Sequence, residues 1–211
     1  MKRALQFLFF LLVVRPVLLV ILGMNVRGRE NLPAKGPAIL VANHNSHLDT
    51  LTLMALFPLK ELHLLRPAAA ADYFLANKWL KWFATTVINI IPLERGAIRK
   101  NPLADLEASL DRGEILILFP EGSRGEPEQR AEFKRGVAYL AKARPDVPVH
   151  PVFMHGLGKA LPKGSFILVP FNCDVFAGPA MRWTGDAQSF MGELETRMTT
   201  LAGEGRFQPW E

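Results

Sequence analysis

Apolar residues fall along this chain in two kinds of run. One kind is short and continuous: AILVA (38–42), ILILF (115–119) and VPVHPVF (147–153) hold almost no polar position between their bounding turn residues. Runs of that length without alternation predict strands covered on both faces. The other kind recurs with helical spacing. In NPLADLEASLDRG (101–113), Leu103, Leu106 and Leu110 stand at i, i+3 and i+7, Pro102 suits a first turn, and Gly113 suits a stop. HLDTLTLMALF (47–57) has helical length and ends before Pro58, and FKRGVAYLAKARP (133–145) predicts a short helix. In the segment 186–203, Phe190, Leu194, Met198 and Leu201 share one side of an amphipathic helix.

Several segments are mixed. The stretch 62–71 (LHLLRPAAAA) predicts a strand, followed by a helix over 72–83 (DYFLANKWLKWF) and a β-rich run over 86–94 (TVINIIPLE). A short strand is expected near NVR (25–27), and further strands over FILVPF (166–171) and NCDVFAG (172–178). Strands thus alternate with helices. That order predicts an α/β fold with a mostly parallel central sheet and helices on both faces. In such folds ligands gather at the carboxyl ends of the strands.

The first residues break this pattern. Residues 4–23 (ALQFLFFLLVVRPVLLVILG) are apolar throughout, except for Gln6 and Arg15, and follow Lys2 and Arg3. The length suffices to cross a bilayer, and no small-x-small cleavage site follows. A central Arg costs about 2.5–3.5 kcal/mol on insertion scales, and Pro16 kinks a helix. A bent helix lying in one leaflet, with Arg15 snorkelling to the headgroups, is the alternative to a span. A buried helix of a globular core is the third reading. Residues 1–25 are accordingly expected to form a membrane-associating segment and residues 26–211 a single domain. Membrane association is expected on the cytoplasmic face.

Composition narrows the partners. The 211 residues carry a formal net charge of +5 and a sequence pI of about 9.6. A basic balance favours a phosphate-rich partner such as an anionic lipid, a nucleotide-like cofactor or an acidic carrier protein. Aromatic and basic residues do not interleave along a stripe, which argues against nucleic acid. The single cysteine, Cys173, excludes an intrachain disulfide, and its apolar neighbours favour a neutral thiol.

Two polar clusters directly follow predicted strands. The first, NHNSHLD (43–49), places His44 and Asp49 five residues apart. On one regular helix they would stand ~140° apart, so they meet only if His44 lies in the loop and Asp49 in the first helical turn. A carboxylate on one imidazole nitrogen fixes the tautomer and leaves the other nitrogen as a base for a hydroxyl. Ser46-x-x-Asp49 also has the form of a capping box, which explains both residues without catalysis, and Asp49 could serve both ends. His44, His47 and Asp49 as metal ligands of a hydrolase form a further reading, although no second His/Asp/Glu cluster completes such a site. No metal is therefore expected. The second cluster, FPEGSRG (119–125), has two glycines that let backbone approach an anion, and Arg124 has the planar fork that grips phosphate.

These residues resemble the glycerolipid acyltransferases, the lysophosphatidic acid (1-acyl-sn-glycerol-3-phosphate) acyltransferase type. NHNSHLD matches that family's N-H-x4-D motif, and FPEGSRG its F-P-E-G-[ST]-R motif. INIIPLERG resembles its block ending in arginine, here Arg95, and VPVHPVF its V-P-[VI]-x-P-[VI] block. The four blocks run in order from about Val26 to Phe153. Glu94 departs from the small residue common before the arginine, and the last third of the chain matches no motif. The resemblance implies His44 and Asp49 as catalytic residues. It implies Arg95, Glu121, Gly122, Ser123 and Arg124 as binding residues. It further implies transfer of an acyl group to the free hydroxyl of 1-acylglycerol 3-phosphate or another lysolipid, such as a lyso-ornithine lipid or lysophosphatidylglycerol. Acyl-CoA or acyl-carrier protein would be the donor substrate, with no cofactor, in phospholipid synthesis.

Overall fold

The computed structural model of the chain describes residues 1–72, 77–93, 101–125, 131–162, 164, 167–205 and 207. Among them, seven strands form one sheet: β1 Asn25–Arg27, β2 Ala38–Ala42, β3 Leu65–Ala70, β4 Ile91–Leu93, β5 Ile115–Leu118, β6 Val149–His155 and β7 Asp174–Ala177. Their order is β1-β7-β6-β2-β5-β3-β4. All pairings are parallel except β6 with β7. The fold is the expected α/β class with a mostly parallel sheet.

The continuous apolar runs are explained by what covers each face. In β2, Ala38, Leu40 and Ala42 enter one core, and Ile39 and Val41 enter the other. In β5, Ile115 and Ile117 face the first core, and Leu116 and Leu118 face the second. Helices α1 (Lys2–Ile21) and α2 (Leu48–Ala55) cover the first face together with the helical stretch Ala84–Ile88. Helix α3 (Lys78–Phe83) leads into that stretch. Helices α4 (Ala104–Asp111), α5 (Gly136–Ala143) and, after the short α6 (Leu157–Ala160), the long α7 (Ala187–Glu204) cover the second. A strand with helices on both sides has no solvated position to fill with a polar residue.

Helix α1 rests on the domain along one narrow stripe. Gln6, Phe10, Val14, Leu18 and Leu22 are buried at four-residue intervals, while Leu5, Leu8, Leu12, Leu19 and Val20 are exposed. Two π-helical turns, Phe10–Val14 and Val17–Ile21, flank Pro16, whose missing N–H removes one regular bond of the ladder. Arg15 does not snorkel outward. Its Nη2 donates to Phe57 O at 2.9 Å, and Arg29 Nη2 donates to Leu56 O at 2.9 Å. Both guanidiniums thereby satisfy carbonyls just beyond the carboxyl end of α2, where orphan acceptors and the helix dipole attract cations.

Two segments differ from the sequence expectation. The run at 86–94 is strand only from Ile91, because α3 continues as helix to Ile88 and stops at Asn89 in the left-handed region (φ 65). Asn89 Nδ2 donates to His63 O and Leu65 O, and its Oδ1 accepts from Arg66, so the turn is fixed by its own side chain. The described part of 166–171 is not a strand: Val169 N donates to Ala160 O, Ile167 and Val169 are exposed, and Pro170 has no N–H for a ladder. Of the helix expected over 72–83, residues 73–76 lie outside the described residues.

Candidate active site

Strands β2 and β5 are parallel neighbours, with Val41 opposite Leu118, so the segments that follow them leave the sheet at the same edge. This brings NHNSHLD and FPEGSRG together. Asn43 fixes the first segment to β6: its Oδ1 accepts from Met154 N at 2.8 Å and its Nδ2 donates to Met154 O at 2.8 Å. The side-chain amide thus stands in for one further step of backbone ladder, and Asn43 is a structural residue of the loop.

The His44–Asp49 pair forms as the loop-and-first-turn geometry requires. His44 Nδ1 lies 2.9 Å from Asp49 Oδ2, and the same oxygen accepts from Asn45 N at 2.7 Å and Ser46 N at 2.8 Å. One carboxylate therefore orients the imidazole and satisfies two backbone donors of the loop that leads into α2. Only half of the capping box is present, since Ser46 Oγ accepts from Leu48 N rather than from Asp49 N and donates to Leu161 O. The Asp49 side chain is 2% exposed and that of His44 18%. With Asp49 as acceptor, Nδ1 carries the proton and Nε2 is the basic nitrogen. Phe119 stacks on the ring, with centroids 4.1 Å apart and planes at 19°.

The second loop grips the backbone of the first. His44 N donates to Glu121 Oε1 at 3.1 Å, and Gly125 N donates to His44 O at 3.0 Å. Glu121 is buried, and its Oε2 accepts from Ala131 N at 3.3 Å. Burial raises the Glu121 carboxyl above its ordinary pKa, opposed by the His44 and Ala131 N–H groups. Glu121 therefore braces the two loops against each other. Arg124 Nη1 is hydrogen-bonded to His47 Nε2. A guanidinium only donates, so His47 Nε2 must be the unprotonated acceptor. Burial lowers the His47 pKa, and the charge of Arg124 and the nearby His44 act in the same direction, against Asp49.

These groups line a cleft of about 740 Å³. His44, His47, Thr50, Asp72, Ser123, Arg124 and Lys134 supply its polar side chains, and Leu51, Leu80, Phe83, Ile88, Ile90 and Leu93 supply much of an apolar wall. Gly122 (φ +73) admits Lys134: a Cβ at that position would lie 2.6 Å from Lys134 Nζ. Pro67, Ala68, Ala69 and Ala70 of β3 also line the cleft. Small side chains on the face turned toward it leave space that Val or Ile would fill.

Of the sequence-derived site residues, His44, Asp49, Glu121, Gly122, Ser123 and Arg124 come together, whereas Arg95 lies outside the described residues. Among the described residues, no three His, Cys, Asp or Glu side chains converge to hold a metal ion. His47 and Lys134 emerge as partners of the cationic loop. His150 sits elsewhere, with Nδ1 donating to Asn31 O at 2.6 Å, and the ring of His155 stacks on Phe207. The arrangement can remove a proton from a hydroxyl at His44 Nε2, hold an anion at Arg124 and Lys134, and receive an aliphatic chain.

A family model described as Acyltransferase matches residues 23–155, more than half of the chain, and the chain belongs to this family. It is 32% identical over 158 residues to the chloroplastic 1-acyl-sn-glycerol-3-phosphate acyltransferase LPAT1 of Arabidopsis thaliana, covering 67% of this chain and 38% of that protein. It is 29% identical over 183 residues to a 1-acyl-sn-glycerol-3-phosphate acyltransferase of Pseudomonas aeruginosa, covering 85% of this chain and 67% of that one. The chain therefore spans less than half the length of the plant relative and about two thirds of the bacterial one. The crystal structure of the 1-acyl-sn-glycerophosphate (LPA) acyltransferase PlsC from Thermotoga maritima has the same fold. Its TM-score is 0.72 over 89% of this chain and 74% of that chain, at 22% identity.

Proposed function

We propose that the chain transfers a fatty acyl group from acyl-CoA or acyl-carrier protein to the free hydroxyl of 1-acylglycerol 3-phosphate, in phospholipid synthesis at a membrane surface. The observation that carries this reading is the His44–Asp49 pair, braced by Glu121 and set beside Arg124 and Lys134 in a largely apolar cleft. A hydroxyl is a poor nucleophile until a base takes its proton. His44 Nε2 accepts that proton as the hydroxyl oxygen attacks the thioester carbonyl. The tetrahedral adduct collapses with cleavage of the C–S bond, and the protonated imidazole returns the proton to the departing thiolate. Asp49 holds the ring and stabilises its charged form, as the carboxylate of a catalytic triad does.

No serine or cysteine is called on as a covalent nucleophile. Ser46 and Cys173 are buried, and the Ser46 hydroxyl donates to a backbone carbonyl. Arg124 and Lys134 hold the acceptor phosphate, and the apolar wall takes acyl chain. Residues 1–25 associate with the membrane through the exposed side of α1, on the cytoplasmic face.

The test is a panel of lysolipids incubated with labelled acyl-CoA and acyl-carrier protein, with product mass as readout. Acylation of 1-acylglycerol 3-phosphate, lost in His44→Ala, is the expected result. Transfer only to a lyso-ornithine lipid or lysophosphatidylglycerol would move the acceptor, and transfer to none would overturn the reading.

A further inference from the structure

Helix α3 presents two different faces. Leu80 and Phe83, with Ala84 and Ile88 beyond them, line the cleft. Lys78, Trp79, Lys81 and Trp82 point to solvent, and Trp79 and Trp82 are 82% and 50% exposed. The start of the helix is fixed, since Asn77 Oδ1 accepts from Trp79 N at 2.8 Å and Leu80 N at 3.4 Å. Two tryptophans one turn apart on a capped helix are a large apolar area to leave in water.

The exposed side of α3 continues that of α1. Phe9 meets Phe83 edge to face, with centroids 5.2 Å apart and an interplanar angle of 88°, and Gln6 Nε2 donates to Val87 O at 2.8 Å. Leu8 and Leu12 of α1 are exposed as well. Charge follows the same surface: Lys2 and Arg3 open α1, Lys78 and Lys81 flank the tryptophans, and neither 2–23 nor 77–93 contains Asp or Glu. Tryptophans at the boundary, lysines reaching past them and aliphatic side chains beside them match the layering of an anionic phospholipid surface.

We propose that α3 is a second membrane-docking element, with Trp79 and Trp82 seated at headgroup level and Lys78 and Lys81 on lipid phosphates. The proposal rests on the reading of α1 as membrane-facing and adds an orientation to it. Because the other face of α3 is cleft wall, docking sets the apolar lining against the lipid boundary. An acyl chain then passes between bilayer and cleft alongside Leu80 and Phe83 with little exposure to water.

The test uses the full chain and vesicles of phosphatidylcholine with or without phosphatidylglycerol. Co-sedimentation, tryptophan emission and quenching by brominated lipids are the readouts. The parent is expected to show a blue shift and quenching that Trp79→Ala/Trp82→Ala lacks, with vesicle affinity reduced roughly tenfold or more. Lys78→Gln/Lys81→Gln should weaken binding to anionic vesicles roughly tenfold or more and to neutral vesicles little. This pair changes only exposed polar groups, so it keeps the test intact if the tryptophan variant folds poorly. Parental vesicle affinity in both variants, or parental emission that brominated lipids neither shift nor quench, would overturn the proposal, even if Leu8→Asp/Leu12→Asp releases the protein and so upholds the α1 reading. The converse result, loss with the α3 variants alone, keeps the proposal and removes α1. A change of oligomeric mass with vesicle binding unaltered would make this face an interface between copies and overturn docking.

Discussion

The backbone of His44 is held by Glu121 and Gly125, so its position does not depend on its own side chain. His44→Ala should therefore fold like the parent and lose about 10²–10⁴-fold in kcat, with acceptor KM little changed. Steady-state kinetics beside a thermal melt check both halves. Asp49→Asn is a different perturbation. The Asp49 carboxylate serves His44 Nδ1 and two backbone N–H groups through one oxygen. An amide oxygen kept on the N–H groups cannot also carry a negative charge for the imidazolium. A lower kcat together with a loss of about 1–3 kcal/mol in urea unfolding is expected. Parental stability in that variant would show that the two backbone bonds are replaceable. His44, Asp49, Glu121 and Arg124 were legible from sequence because fixed spacings after apolar strands carry them. His47 was visible only as a residue beside the motif and Lys134 only as one just after it, because the first gains its partner when Arg124 arrives from another strand and the second when its own loop folds back on Gly122.

Helix α1 has a buried stripe and an uncovered remainder, and the two should respond differently to substitution. Phe10 is fully buried in the core shared with α2 and the sheet. Phe10→Ala should cost about 3–5 kcal/mol of unfolding free energy, measured by chemical denaturation. Removing 1–23 would strip the whole stripe, so it tests folding more than membrane attachment. Substitution on the exposed side, as in Leu8→Asp/Leu12→Asp, leaves the stripe in place and separates the two. The sequence shows an apolar 20-mer but not this division, because nearly every position is greasy and periodicity has nothing to contrast with. The same limit explains residues 84–88, where Thr85, Thr86, Val87 and Ile88 have strand preference yet pack as helix against α1. Strands β2, β5 and β6 were legible because both of their faces are covered. The alanines of β3 were visible but not interpretable, since a small residue facing a cleft and one packed under a helix read alike.

Across the whole molecule, acid should weaken the fold before it neutralises the carboxylates of the surface ion pairs. His150 donates from Nδ1 to Asn31 O, and its Nε2 has no partner among the described residues. Burial lowers its pKa, aided by the Arg182 charge and opposed by the Asn31 bond, and His47 is lowered for the reasons given above. Below the unfolded value of 6.5 the unfolded chain binds more protons than the folded one. Stability is thus fully present above that pH and is lost as pH falls through the depressed folded values. Urea midpoints between about pH 7.5 and about pH 5.5 should fall in the parent and fall less in His150→Leu. The net charge of +5 favours an anionic acceptor in general terms, and the proposed function assigns its phosphate to the cleft cations. Arg124 is tied through Nη1 to His47, which orients the plane of its fork, and Lys134 stands beside Gly122 as a second, compact charge. A planar fork can grip two phosphate oxygens, whereas an ammonium holds them as a point charge. Arg124→Lys should therefore raise acceptor KM although the charge is kept, lowering kcat/KM by about 1–3 kcal/mol. His47→Ala should raise the same KM by less, since the fork remains and only its orientation is freed. Lys134→Gln should act in the same direction, and none of the three should move the KM of the acyl donor comparably. Measuring both KM values for each variant decides the matter: parent-like acceptor kinetics in all three would remove the phosphate from this end of the cleft.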